Sequence, residues 1–337
     1  MKPLKNIKFI DLFAGIGGFH QALNFYGAQC VFASEWDKNC QKIYQENYGI
    51  LPAGDITKIP AHNIPNHDIL CAGFPCQAFS ISGKKLGFED TRGTLFFDVV
   101  RIASYHQPQI LILENVKNFA THDQGNTLKV VKNSLQEIGY NVFEKVLNSS
   151  YFGVPQKRER IYIIAFRNDL NFTNFIFPSL ENSQTKLIDF CLDDKETKEF
   201  IIRRNDVIFK ENITIEPDIN GNYPQKPIRI GAISQGRQGE RIYHAYGHAI
   251  TLSAYGGGVG AKTGLYFINN TIRKLAPREC ARIMGFPDNF ILSDNKNVAY
   301  QQFGNSVVVN VIKSLVKNIL QQCDINNKLS EKIMINV

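Results

Sequence analysis

The chain has 337 residues and is 44% hydrophobic, enough to bury a real core and to hold one large domain with a smaller companion. Lysine and arginine outnumber the acids by 38 − 31 = 7, and the pI near 8.9 is a mild hint of a polyanionic partner. Seven cysteines, an odd number with no C-x-x-C pair, argue against a disulfide framework and against a zinc site, so no metal is expected.

Lysines at positions 2, 5 and 8 precede the first apolar run, but Asp11 interrupts that run too early for a signal peptide. No stretch approaches the ~20 apolar residues of a membrane span. The expectation is a soluble cytoplasmic protein. Strand-like runs follow at 7–12, 30–33, 68–72, 109–113, 142–147 and 160–166, with helix-like stretches at 18–26, 37–48, 94–106 and 126–138. This alternation predicts βαβ units around a parallel sheet. Two segments break it. The loop 77–93 carries Gly83, Gly87 and Gly93, and loops this long inside a compact domain are commonly functional lids or disordered. The stretch 168–272 has weak periodicity, many Asn and Gly and short β-like pieces, and reads as the smaller domain. Helical pattern returns at 277–284, opened by Pro277 and closed by Gly285, and again at 306–320.

Four motifs carry chemistry. The run Asp11-Leu12-Phe13-Ala14-Gly15-Ile16-Gly17-Gly18 reads as strand, tight glycine turn and helix, a turn that lets a ligand approach backbone N–H groups at a helix N-terminus. It is neither G-x-G-x-x-G nor a P-loop. Glu35, about twenty residues on at the end of the next strand, stands where a carboxylate can hold ribose hydroxyls. Gly54-Asp55-Ile56 adds a second acid. Phe74-Pro75-Cys76-Gln77 places a thiol just past a strand, with Pro75 stiffening the approach. Glu114-Asn115-Val116 ends another strand, and Gln156-Lys157-Arg158-Glu159-Arg160 precedes a third.

In order and spacing these motifs resemble the DNA (cytosine-5) methyltransferases, and the resemblance extends to 273–287 and 302–309 at the far end. It implies a Rossmann-like α/β domain with a mostly parallel sheet, plus a smaller irregular β-rich target-recognition domain across a DNA-binding cleft. The catalytic and cofactor domain would span 1–190, completed by 291–337, with recognition domain and hinge at 191–290. The implied cofactor is S-adenosylmethionine, with NAD as runner-up. By the same match Phe13, Ala14, Gly15, Ile16, Gly17 and Gly18 line its pocket and Glu35 binds ribose. Trp36 packs on adenine and Asp55 meets its amine. Ile56, Pro75 and Leu95 contribute, and Asn305, Ser306 and Val307 close the site.

The chemistry needs a nucleophile because carbon-5 of cytosine is unreactive on its own, and covalent catalysis splits that step. Cys76 is the expected nucleophile. Glu114 would carry the proton at ring nitrogen 3, Arg160 would bond the cytosine carbonyl and favour the thiolate, and Asn115 completes the pattern. Arg158 reads as a phosphate or structural partner. Such enzymes rotate the target base out of the duplex. Ser80, Ser82 and Lys84 on the loop 77–93 are suited to grip phosphates as that loop closes. In the smaller domain, Gln238, Arg241, Thr251, Tyr255, Gly257 and Gly258 lie in runs that resemble the recognition loops of a bacterial modification enzyme of this family. Arg241 suits bidentate reading of guanine. The implied target is GCGC in double-stranded DNA, as the modification half of a restriction–modification system. One chain would suffice, sharing its site with an endonuclease it need not touch. The stretch 244–248 departs from those loops and leaves the outer base pairs unassigned. Rival readings are a transfer-RNA cytosine methyltransferase, a non-catalytic DNA-binding relative and a cysteine hydrolase.

Overall fold

The six strand-like runs become one sheet. Its strands are β1 (Lys8–Leu12), β2 (Gln29–Ser34), β3 (Ile69–Gly73), β4 (Ile110–Val116), β5 (Tyr140–Asn148) and β6 (Glu159–Arg167). In this computed structural model, residues 3–75, 95–179, 184–211 and 215–326 are described. The spatial order is β2-β1-β3-β4-β6-β5. The first four strands pair in parallel, and β6 runs antiparallel to β4.

Helices cover both faces, which is why these strands are continuous apolar runs rather than alternating ones. Ile10 and Leu12 of β1, Leu70 and Ala72 of β3 and Leu111 and Leu113 of β4 share one face. They pack with Phe96, Val99, Val100 and Ala103 of α3 (Phe96–His106) and with Val131 and Leu135 of α4 (Asn126–Glu137). On the opposite face Phe9 meets the ring of His20 in α1 (Gly18–Phe25), edge to face at 5.5 Å. There a small apolar cavity is lined by Leu4, Ile7, Ile110 and Ile112, with Val316 and Ile319 of the last helix, α7 (Val309–Asn326). The second helix, α2 (Lys38–Tyr48), opens on Asp37, whose carboxylate accepts from the backbone of Asn39 and Cys40, and closes on Gly49 at φ 70°.

The chain divides into two compact units. One comprises Met1–Leu147, Glu159–Pro178 and Ile312–Val337, the other Asn148–Arg158 and Ser179–Val311. These bounds follow compactness, whereas the expected 1–190, 191–290 and 291–337 follow role. The second unit holds a five-stranded sheet of β7 (Val207–Phe209), β8 (Ile228–Ile233), β9 (Arg241–His244), β10 (Leu265–Ile268) and β11 (Thr271–Arg273). Its order is β11-β10-β9-β8-β7, antiparallel except where β9 and β10 run parallel. Helices α5 (Pro277–Ile283) and α6 (Lys296–Asn305) belong to the same unit. The sequence pattern missed α6. The expected helix at 306–320 begins at Val309 instead, because Ser306 caps the end of α6. Among the described residues no helix is long and apolar enough to cross a membrane.

The apolar cluster of the second sheet is small, with Ile230, Ile233, Ile242 and Leu265 at its centre. A fully buried ion pair also holds this unit together. Arg273 and Glu279 are 1% and 0% exposed in their side chains, joined by two parallel hydrogen bonds of 2.8 and 2.7 Å. The same carboxylate accepts from the backbone of Ala276 at 2.7 Å and of Leu192 at 2.8 Å, so one side chain ties β11, the start of α5 and a loop. Glu279→Ala leaves the guanidinium buried and unpaired, and should destabilise the unit by about 3–5 kcal/mol. A denaturant titration checks this; a loss below about 1 kcal/mol would mean that water reaches the pair.

Candidate active site

Strand β3 ends at Gly73, whose register partner on β4 is Glu114. Because β6 is antiparallel, its first residues lie beside the end of β4, with Arg160 opposite Val116. Glu114 is buried, and its Oε1 lies 3.1 Å from the Arg160 Nε. The next residue reaches across to β3: Asn115 Nδ2 donates to the Phe74 carbonyl at 2.9 Å, while its Oδ1 accepts from the Val116 backbone at 2.8 Å. Phe74 is itself wedged between Phe96 and Phe119. The backbone two residues before Cys76 is thus fixed by a buried amide and by aromatic packing. Cys76, Ser80, Ser82, Lys84 and the loop 77–93 lie outside the described residues; Pro75 is exposed at the end of the described stretch.

The glycine turn after β1 is built on residues in the left-handed region: Phe13 at φ 55°, Gly15 at 55° and Gly17 at 82°. A bulky side chain at positive φ is unusual and marks a backbone held by its surroundings. Here Ala14 N–H donates to the Ser34 carbonyl at 3.0 Å. Gly17 has no alternative, since a Cβ there would fall 2.3 Å from the ring of Tyr48. Glu35, at the end of β2, is 8% exposed; its two oxygens accept from Gly15 N–H at 2.8 Å and Asp37 N–H at 2.9 Å. Burial raises its pKa against the pull of those two amides. Trp36 beside it is 81% exposed, an open aromatic face. Asp55 caps the turn Ile56–Lys58 through Thr57, whose hydroxyl and amide lower its pKa. Ser34 Oγ donates to the Gly54 carbonyl at 2.8 Å, keeping the two acids on adjoining segments. Ile56 is buried in the core under this loop, and Leu95 is half-buried before α3.

One polar group here escaped the sequence reading. Asp11 is 0% exposed, and among the described residues no side chain bonds its carboxylate, which has only the His20 backbone amide to favour its charge. It faces away from Ile10 and Leu12, toward α1 and α2. Burial pushes its pKa well above the usual carboxylate range; the His20 amide opposes this and the charge of Glu35 adds to it. His20 shares a 2.8 Å hydrogen bond with the Tyr44 hydroxyl and stacks on Tyr48 at 3.9 Å, and burial lowers its pKa to about 4. Tyr48 in turn donates to the Gly17 carbonyl at 2.9 Å. The available signal was a carboxylate inside an otherwise apolar strand.

In the second unit, Arg158 is 2% exposed and donates to the carbonyls of Leu252, Gly304 and Ser306 at 3.1, 3.0 and 2.8 Å. Of the two roles left open for it, this geometry favours the structural partner. Ser306 and Val307 are buried and Asn305 is exposed. Gln238 is exposed in a short turn, and Arg241 Nε bonds the Gly236 carbonyl at 3.4 Å. Thr251 donates to the Lys157 carbonyl at 2.6 Å. Tyr255 is 74% exposed, and Gly257 and Gly258 are exposed. The departing stretch 244–248 is largely internal: His248 is buried, its ring on Ser150 Oγ at 3.0 Å and the Thr185 carbonyl at 2.9 Å. Only Tyr246 in it is exposed. Among the described residues no cluster of three or more His, Cys, Asp and Glu side chains could hold a metal.

Residues 7–321 match the C-5 cytosine-specific DNA methylases. Type II methyltransferase M.HhaI of Haemophilus parahaemolyticus is 54% identical over 318 residues, covering 94% of this chain and 95% of the relative. Type II methyltransferase M.HpaII of Haemophilus parainfluenzae is 43% identical over 327 residues, covering 93% and 89%. Among solved structures, the S. pombe Dnmt2 methyltransferase superposes with a TM-score of 0.70 at 20% identity, over 95% of this chain and 100% of that one. That likeness speaks to the fold alone.

Asp11 gives the turn a pH signature. Its folded pKa is raised, so above the unfolded value near ~3.9 the unfolded chain has lost a proton that the folded chain still holds. Its contribution to stability therefore falls as pH rises from about 4, by at most about 1.4 kcal/mol per unit, until the folded group ionises. In urea titrations Asp11→Asn should gain on the parent as pH rises above about 4. A difference that does not change with pH would mean a charged Asp11.

Proposed function

The chain belongs to the C-5 cytosine-specific DNA methylases, and on that premise we propose that it methylates carbon-5 of a cytosine turned out of duplex DNA, in the site GCGC, with S-adenosylmethionine as donor. The observation that carries the reading is the sheet edge where Glu114 faces Arg160 and Asn115 holds the Phe74 carbonyl, immediately before Cys76.

The residues around the glycine turn fit the cofactor. Glu35 and Asp55 offer acceptors for hydroxyl and amine groups, Trp36 offers an exposed ring, and the glycine turn leads directly into the N-terminus of α1. Phe13, Ile16, Gly18 and Leu95 on one hand, and Asn305, Ser306 and Val307 on the other, are its further proposed contacts. When bound, the cofactor supplies an electrophilic methyl group on a sulfonium.

The thiolate of Cys76 forms a bond to carbon-6 of the cytosine, and the electron pair displaced onto the ring is met at nitrogen 3 by a proton from Glu114. Arg160 holds the Glu114 carboxyl in place and presents its guanidinium to the cytosine carbonyl oxygen. Carbon-5, now enamine-like, would take the methyl group, the sulfonium leaving as the thioether S-adenosylhomocysteine, and nitrogen 3 would return its proton to Glu114. Loss of the carbon-5 proton then breaks the carbon–sulfur bond and frees the thiol. Asn115 is a positioning residue that keeps the approach to Cys76 rigid. Gln238, Arg241, Thr251, Tyr255, Gly257 and Gly258 read the duplex, and Ser80, Ser82 and Lys84 grip its phosphates. The five-stranded unit supports duplex DNA over transfer RNA as substrate. A single chain suffices for a site that a cognate endonuclease would share without contact, in the cytoplasm where the DNA lies.

The test is incubation with tritiated S-adenosylmethionine and two duplexes, one containing GCGC and one with the site scrambled. Label on carbon-5 in the GCGC duplex alone is expected. Label in both would overturn the target, and label in neither would overturn the activity. Cys76→Ser should abolish transfer while leaving DNA affinity within about twofold, and DNA affinity should fall steeply with salt. Normal turnover in that variant would sink the covalent route.

A further inference from the structure

The two loops that carry the DNA-reading candidates touch through bare backbone. Gly260 N–H donates to the Gly239 carbonyl at 2.8 Å. A Cβ on Gly239 would stand 2.5 Å from the Gly257 carbonyl oxygen, and one on Gly260 would stand 2.7 Å from the Gly239 oxygen and 2.8 Å from Leu265 Cγ. Neither Gly239 nor Gly260 has a positive φ. Their own backbone conformation therefore does not call for glycine; the opposing loop does.

Each loop is also braced on its own side. Arg237 N–H bonds Glu240 Oε2 at 2.9 Å, which closes the short turn Gln238–Glu240. On the other loop Ala261 N–H bonds the Gly258 carbonyl at 3.1 Å, Ser253 N–H bonds the Lys262 carbonyl at 2.9 Å, and Gly258 turns at φ 91°. Both loops are rooted in neighbouring strands, since β9 and β10 pair with Ile242 against Leu265. Gly257 differs from the two clasping glycines: its carbonyl meets Gly239, but a Cβ on it would meet nothing within 4 Å and its φ is not positive, so its side-chain direction is open.

We infer that Gly239 and Gly260 are positioning residues for sequence selection, clasping the two loops into one surface before DNA arrives. Gln238 and Arg241 on one loop and Tyr255 and Gly257 on the other then keep a fixed spacing, as hydrogen-bond reading of base edges demands. The inference rests on the DNA-reading role proposed above. A methyl group at either clasp position forces the loops apart and blurs that spacing. It leaves the carboxylate–guanidinium pair and the glycine turn untouched, since these lie on other elements.

Gly239→Ala and Gly260→Ala are compared with the parent on a GCGC duplex and on duplexes with one base pair of the site changed. The ratio of kcat/KM for the intact over the altered site should fall by on the order of tenfold, roughly the discrimination of one bidentate base contact. S-adenosylmethionine affinity should stay within about twofold, which a general loss of folding would not allow. An unchanged ratio would overturn the inference. Should either variant fail to fold, amide hydrogen exchange on the DNA-free parent decides instead. Protection of the Gly260 amide is expected, and exchange at open-chain rates that slows only on adding the duplex would overturn a preformed clasp. A parent that labels no duplex would overturn the proposed function, and the exchange result would still decide the clasp.

Discussion

Because β6 runs against β4, a residue at the start of one strand lies beside a residue at the end of the other. That single reversal brings Arg160 to the edge where Glu114 nears the end of its strand and where β3 hands over to Phe74-Pro75-Cys76. In a parallel arrangement the same arginine would stand at the far edge of the sheet, about 20 Å away at ~3.3 Å per residue. The rest of the site follows from this pairing. The carboxylate and guanidinium hold each other in a sheltered position. Asn115, one residue along, points its amide to the neighbouring strand and fixes the Phe74 carbonyl.

Three buried carboxyl groups show how surroundings, not burial, decide what an acid does. Glu279 is fully enclosed, yet a bidentate guanidinium and two backbone amides meet both its oxygens. Glu35 has two amides and, among the described residues, no cation, so its pKa rises only against opposition. Asp11 has only the His20 backbone amide to favour its charge, and burial drives its pKa well up. The charge of Glu35 pushes the same way, since a second negative charge behind the turn would be repelled. The rings of His20, Tyr44 and Tyr48 complete this lining, and Tyr48 reaches the Gly17 carbonyl of the turn itself.

Much of this was legible in the residues, and what was not has a physical reason. Runs such as Ile110-Leu111-Ile112-Leu113 announce strands covered on both faces, and all six strands of the first sheet fell within a few residues of expectation. The acid at the end of β2 and the glycine turn were readable because each is a local pattern. Helix α6 was not. Its residues from Lys296 to Asn305 are rich in Asn and Gln, with Ala299, Tyr300 and Phe303 as its main buried apolar side chains. The readable clue was Asn295, which caps it by accepting from Asn297 and Val298. Links made by one side chain over a long stretch of sequence left no trace at all. Asn115 to Phe74 and Arg158 to Gly304 depend on which strands and loops become neighbours. The meeting of Gly239 with Gly260 is of the same kind, since glycine-rich loops look alike until they are seen in contact.

The first unit is assembled from three separated stretches of chain, and its last stretch begins only at Ile312. Val316 and Ile319 in that stretch cover the face of the sheet that Ile7, Ile110 and Ile112 present. During synthesis the sheet is therefore complete long before its cover exists, because everything from Ser179 to Val311 must be made in between. At ~5–20 residues per second that interval is on the order of ten seconds. For that time Ile7, Ile110 and Ile112 lack the cover that Val316 and Ile319 give them in the finished fold, so the order of the chain leaves that flank of the nascent domain to be shielded by something else.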